Sequence, residues 1–191
     1  MPWPNRRMNG IGADAAFCRS RTRRPTQPTC AETWINRTVP DGSRWRDTAR
    51  RVEALGYSTL FLPDHLQETW NPLVPITVAA EATTTLRVGS LVFSNDYRHP
   101  LVLARDIAAL DLLSDGRVEF GLGAGWKSVD YAQAGIALDR PGVRIARLDE
   151  ALTVIRRLWS EDSVTFDGAH YQLAGATCLP RPSTKGGPPV L

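Results

Sequence analysis

The chain has 191 residues, 42% of them hydrophobic and 23% charged, with a formal net charge of +3, which is enough for one ordinary domain of about 50–250 residues. Residues 1–40 hold the basic excess, seven arginines against Asp14 and Glu32, while the remainder is slightly acidic; that segment lacks helical or strand period and interleaved aromatics, so no nucleic-acid partner is expected. Cys18, Cys30 and Cys178 form neither a disulfide framework nor metal-ligand spacing, and no apolar run suits a signal peptide or approaches the ~18 residues of a span, so a cytoplasmic protein without membrane or metal is expected.

Residues 1–40 read as a poorly ordered basic segment, rich in Arg, Pro and Thr and without a convincing first strand. At Asp41 the character changes. Asp41 or Ser43 caps a predicted helix to about Leu55, with Trp45, Ala49, Val52 and Leu55 on one face and Gly56 as its stop. Tyr57–Leu62 reads as a strand closed by Pro63, and Asn71-Pro72 opens an almost wholly apolar helix to Ala82. Leu86–Phe93 is the next strand, its apolar run fitting burial on both faces. A helix over Pro100–Leu113, with Val102, Ile107, Leu110 and Leu113, ends at Asp115-Gly116, and Val118–Leu122 forms the third strand. The clearest period lies in Val143–Trp159, with Ile145, Leu148, Leu152, Ile155 and Trp159 on one face. Val164–Leu173 reads as a small hairpin turning at Asp167-Gly168, and Pro188–Leu191 as the first residues of another strand. Such alternation predicts an α/β fold over 41–191 with parallel strands and helices outside. Set against a closed (β/α)8 TIM barrel, which needs about 250 residues, the three complete barrel-type strands would make only a partial, truncated and open sheet.

In parallel α/β folds the carboxyl ends of the strands form the binding face, which singles out three groups. Asp64 and His65 follow the first strand and are candidates for proton transfer or cofactor contact; the alternative is a turn or helix cap for Asp64 and a backbone contact for His65. Ser94 and Asn95, leading into Asp96-Tyr97-Arg98-His99, follow the second and offer a hydroxyl, an amide and charges, or serve as ordinary loop residues. Gly121-Leu122-Gly123-Ala124-Gly125-Trp126 follows the third, and its glycines permit tight turns and close approach of a ligand to backbone. It is not a dinucleotide fingerprint: Trp126 stands where that motif needs Gly or Ala, and an Arg-rich helix replaces the strand with its ribose-binding acid. His65, His99 and His170 have no zinc-peptidase spacing, and no serine lies in a nucleophile elbow.

The segments Arg50–Tyr57, Leu62–His65, Arg87–Val92, Asn95–Pro100, Leu110–Arg117, Gly121–Trp126, Pro141–Arg144 and Val164–Tyr171, in this order and at these intervals, resemble the luciferase-like family and its coenzyme F420-dependent subgroup. The resemblance runs from about Trp45 to Leu191. It implies a barrel that binds F420, or FMN in flavin-using relatives, across its strand ends, for hydride transfer or monooxygenation of a small organic substrate. It places Asp64 and His65 near the ring as catalytic candidates. Ser94 and Asn95 fall in a bulge that backs the ring, often with a non-proline cis peptide, and Gly123, Ala124, Gly125 and Trp126 near the ring edge or cofactor tail. Residues 1–40 have no match in the pattern, which also continues past Leu191. The open sheet's exposed edges are expected to pair with another chain, in a homo-oligomer or with a complementing chain that supplies the missing half; the alternative is an inactive, noncatalytic remnant or assembly component.

Overall fold

A computed structural model describes residues 19–20, 31–34, 41–67 and 70–191. The elements in chain order are β1 (Arg19–Ser20), β2 (Ala31–Trp34), α1 (Gly42–Ala54), β3 (Thr59–Leu62), α2 (Leu73–Ala82), β4 (Arg87–Ser94), α3 (Pro100–Leu113), β5 (Val118–Gly123), α4 (Ser128–Ala134), α5 (Pro141–Ser160), β6 (Val164–Asp167) and β7 (Gln172–Ala176). Capping explains several boundaries. The Asp41 carboxylate accepts from the Arg44 amide at 2.9 Å, and His99 Nδ1 accepts from the Leu101 amide at 3.2 Å, just before Pro100.

The sheet order is β1-β2-β3-β4-β5, with β1 antiparallel at the edge and β2 to β5 parallel. Each parallel step is spanned by a helix, so the chain forms an open α/β sheet of the partial-barrel kind. Alternate strand residues (Leu60 and Leu62, Val88, Val118, Phe120 and Leu122) join buried side chains of α1, α2, α3 and α5 in one hydrophobic core. Trp159 anchors its far end: the ring meets Phe120 edge-on at 5.5 Å and its indole N–H donates to Ala104 O at 2.9 Å. Gly187 lies against that ring, where an added Cβ would come within 2.0 Å, and its φ of +94° independently favours glycine.

The structure departs from the sequence reading in several places. Four parallel strands are present rather than three, because β2 lies within the segment read as strandless, pairing Glu32 with Thr59 and Trp34 with Phe61. Ala-Glu-Thr-Trp is too short for a visible period, and its conformation comes from the ladder to β3. Apart from β1 and β2, residues 1–40 lie outside the described residues. In α3 the buried face runs through Leu103, Ala104, Ile107, Ala108, Leu110 and Asp111, leaving Val102 and Leu113 exposed. A helix apolar on nearly all sides carries little phase information. Ile145 of α5 is likewise 60% exposed, whereas Ile155 and Trp159 are buried. Leu148 and Leu152 are partly buried.

The hairpin forms as expected from β6 and β7, and the last residues begin to extend the sheet: Phe120 N donates to Pro189 O and Leu191 N to Phe120 O, both at 2.9 Å. That parallel bridge continues the strand order past β5.

Candidate active site

At the carboxyl end of β3, Pro63 stops the strand and the chain turns outward through Asp64 and His65. The Asp64 carboxylate is buried and accepts from the Ser94 amide at 2.9 Å and from both terminal nitrogens of Arg98, one at 3.1 Å. Two hydrogen bonds from one planar guanidinium neutralise the acid and tie the end of β3 to that of β4. With its oxygens so engaged, Asp64 shapes the face electrostatically and holds its two strand ends in register.

His65 is more open, with 27% of its side chain exposed, and its Nδ1 lies 2.8 Å from Oδ2 of Asp130, a carboxylate with no exposure. Tyr97 donates to the same oxygen at 3.4 Å, and Lys127 Nζ lies 3.8 Å from Oδ1. The Trp126 ring meets His65 edge-on at 5.9 Å and is itself 72% exposed. Burial, and then the Asp130 charge, push the Tyr97 hydroxyl up to about 12, so it remains a neutral donor.

β4 carries a bulge in the expected region, just upstream of Ser94 and Asn95. Its register shifts between Ser90 and Phe93, and the Leu91–Val92 peptide is cis, so the bulge precedes Ser94 and Asn95. Ser94 closes the strand, and Asn95 begins a short 3-10 turn over Asn95–Tyr97 and donates from its amide to the Tyr171 hydroxyl at 3.0 Å. That bond ties the hairpin's approach to the strand ends.

The glycines of β5 have a reason the sequence did not disclose. A Cβ on Gly121 would lie 2.9 Å from the Val92 side chain and 2.4 Å from Ser90 O, and one on Gly123 would lie 2.6 Å from Val92. The bulge therefore occupies the space that those glycines free. Gly125, with φ +73°, lies against the Tyr131 hydroxyl, 1.9 Å from the Cβ position. Tyr131 donates to Asp96 at 2.8 Å, and burial followed by this bond pushes it up to about 12. Arg147 bridges Asp96, at 2.9 Å, to Asp139, and Arg144 donates to the carbonyl of Gly125. These contacts fasten the Gly123–Trp126 segment to α4 and α5, and Ala124 O receives Tyr131 and Arg144 at 3.3 and 3.5 Å.

Sequence reasoning missed α4, and with it Asp130 and Tyr131. The available signal was Gly135, whose φ of +68° closes α4 in the left-handed conformation. A seven-residue helix is too short for its period to declare it.

Among the described residues, two buried side-chain oxygens have no hydrogen-bond partner within the protein, Ser94 Oγ and Asp130 Oδ1, and both belong to this face. Buried polar atoms are ordinarily satisfied, so such a pair is characteristic of a place built for something besides stability. A depression of about 460 Å³, lined by Arg140, Gly142, Val143, Ala146 and His170, shares no residue with this face. Among the described residues no group of three or more His, Cys, Asp or Glu is arranged to hold a metal ion, and no helix is long and apolar enough to cross a membrane.

An open parallel sheet with its charged, incompletely satisfied groups gathered at the carboxyl ends defines the class: part of an α/β barrel bearing a ligand-facing end. Residues 21–191 match the pattern described as luciferase-like monooxygenase, and the chain belongs to that family. It is 34% identical over 148 residues to an F420-dependent glucose-6-phosphate dehydrogenase of Intrasporangium calvum, covering 72% of this chain and 44% of that protein. It thus spans under half the length of that relative. The monooxygenase RslO1 of Streptomyces bottropensis superposes with a TM-score of 0.71 at 25% identity, over 78% of this chain and 46% of that one. An F420-dependent secondary alcohol dehydrogenase in complex with an F420-acetone adduct superposes at 0.75 and 22% identity, over 83% and 50%, a likeness of fold.

Proposed function

We propose that this chain supplies the strand-end face of an oxidoreductase using coenzyme F420, with FMN the alternative, on a small organic substrate. The observation that carries the reading is the coincidence, on one face, of the partly open His65, the orphaned Ser94 Oγ and the bulge that exposes Val92 beside β5. A deazaflavin or flavin ring is flat and apolar across its faces and polar at its edge. Val92 and the exposed Trp126 offer apolar surface of that kind, and Ser94 Oγ is a buried hydrogen-bonding atom without a protein partner. These residues fit such a ring, and the kinship with an F420-dependent dehydrogenase favours F420.

Val92, Ser94, Asn95 and the Gly123–Trp126 segment would hold the ring, which when bound accepts or donates a hydride. His65 would receive or return the proton at the substrate, and Trp126 would cover the substrate's apolar side. Asp64 keeps the strand ends fixed through Arg98 while this occurs.

Titration of the purified chain with F420, followed by fluorescence quenching, and with FMN, followed by its absorbance, tests the proposal. Saturable binding of F420 is the expected result. Binding of FMN alone would move the chain to the flavin branch, and no saturable binding of either would overturn the reading. Light scattering during the titration would show whether a second copy accompanies binding.

A further inference from the structure

Asp130 is an expensive residue to place where it is. Its side chain has no exposure, one carboxylate oxygen lacks a hydrogen bond, and its nearest cation, Lys127, stands off at 3.8 Å as an ion pair rather than a hydrogen bond. A buried carboxylate costs several kcal/mol in lost hydration unless partners return it. Asp64 on the same face is held by a bidentate arginine. Asp130 instead has the His65 Nδ1 at 2.8 Å and the longer contact from Tyr97 at 3.4 Å, both on Oδ2. Where the acid is a carboxylate it accepts and cannot donate, and a 2.8 Å contact then places the proton on Nδ1. In the neutral ring the lone pair is then on Nε2, and the choice of tautomer follows from the second nitrogen's partner.

We propose that Asp130 is the positioning residue for His65, holding the imidazole as its Nδ1–H tautomer, which leaves the lone pair on Nε2, the nitrogen through which proton transfer at this ring would run. This inference rests on the oxidoreductase reading for the identity of the proton's partner; the tautomer itself does not. Trp126 meets the imidazole edge-on. Among the described residues, the charged and titratable groups around the pair include Lys127 of the segment opening α4, Tyr97 of the turn after β4, and the mutually neutralising Asp64 and Arg98.

The test is nitrogen-15 NMR of the imidazoles in the full chain, recorded where His65 is neutral, with His65→Gln used to assign its signals among the three histidines. The expected result is a protonated Nδ1 and an unprotonated Nε2 in the natural chain. Asp130→Ala is expected to move the population toward the Nε2–H form. Where turnover with F420 or FMN is measurable, the same variant is expected to lose about 10²- to 10⁴-fold in kcat, with KM and cofactor affinity little changed. A predominantly Nε2–H ring in the natural chain would overturn the proposal without recourse to any variant. So would an Asp130→Ala protein with a lowered melting temperature and an unaltered tautomer, the signature of a purely structural acid. If neither cofactor binds the natural chain, the oxidoreductase reading fails while the tautomer result continues to decide the role of Asp130.

Discussion

The two ends of the parallel strands carry buried or half-buried charges in comparable number, and treat them in opposite ways. At the amino end, Glu53 accepts from the amides of Thr84, Thr85 and Leu86 at 2.9, 2.6 and 3.0 Å. Arg117 donates to the carbonyls of Ala80, Leu86 and Ser114, and Arg87 pairs with Glu119 at 2.8 Å. These groups close helix ends and strand starts with backbone partners. At the carboxyl end the charged side chains face one another, Asp64 with Arg98, His65 with Asp130 and Asp96 with Arg147, and two buried oxygens are left over. In a barrel-type fold the first pattern is that of stability and the second that of a site.

Mutation can break this comparison, and the largest expected effect is at the site end. Asp64→Ala leaves the Arg98 guanidinium, 12% exposed, without its carboxylate, and is expected to cost about 3–5 kcal/mol in denaturant unfolding. A cost near zero would mean that the pair is not the clasp between β3 and β4. Glu53→Gln tests the amino end. Burial by itself would raise this carboxyl, but the three amides and the Thr85 hydroxyl outweigh it and hold it at about 2 instead of its ordinary 4.5. A carboxyl depressed in the folded state contributes stability that is present in full above 4.5 and lost as pH falls toward 2. The natural chain should therefore weaken across that interval by about 1 kcal/mol, solvent screening reducing the effect at this partly exposed group, and the Gln variant should weaken less.

Gly123→Ala pushes a methyl to within 2.6 Å of Val92 and is expected to cost about 1–3 kcal/mol, read as a lowered melting temperature. Restoration by Val92→Ala in the same chain would show that the bulge, rather than a ligand, demands the glycine. The smallest stability effect belongs to Trp126→Ala: a side chain 72% exposed should leave unfolding within about 0.5 kcal/mol while weakening the binding of an apolar substrate. A large loss of stability there would make Trp126 a structural residue and narrow the site to His65 and its partners.

Much of the architecture was legible because local chemistry and tertiary demand coincide. α3 spans Pro100–Leu113 as the His99 cap, the proline and the Asp115-Gly116 turn require, and the Asp167-Gly168 turn marks the hairpin. The face of α3 was not legible, since Val102 and Leu103 are equally apolar. Contacts from elsewhere settle it: the buried Asp111 carboxylate accepts from the Thr184 amide at 2.8 Å and from the Ser183 and Thr184 hydroxyls at 3.1 and 3.0 Å, fixing which side turns inward.

The candidate site divides in the same way. Asp64, His65, Ser94, Asn95 and the Gly123–Trp126 segment could be found from sequence because each follows an apolar run, and the end of a parallel strand is a fixed place in the fold. Their roles depended on partners far away in the chain, Arg98 for Asp64, Asp130 for His65, Val92 for Gly121 and Gly123, and Tyr171 for Asn95.

By itself, the sequence determined the alternation of strand and helix, the family pattern and the positions of the strand ends, all of which are written in short-range periodicity, capping and turn residues. Only the tertiary structure decided that β2 joins the sheet, that the glycines of β5 yield to a bulge in β4, and that Asp64 is a clasp while His65 faces outward on a buried acid. The physical reason is common to all three. Ladder bonds, steric exclusion and charge pairing act between groups that are adjacent in space and distant along the chain, where no local period can register them.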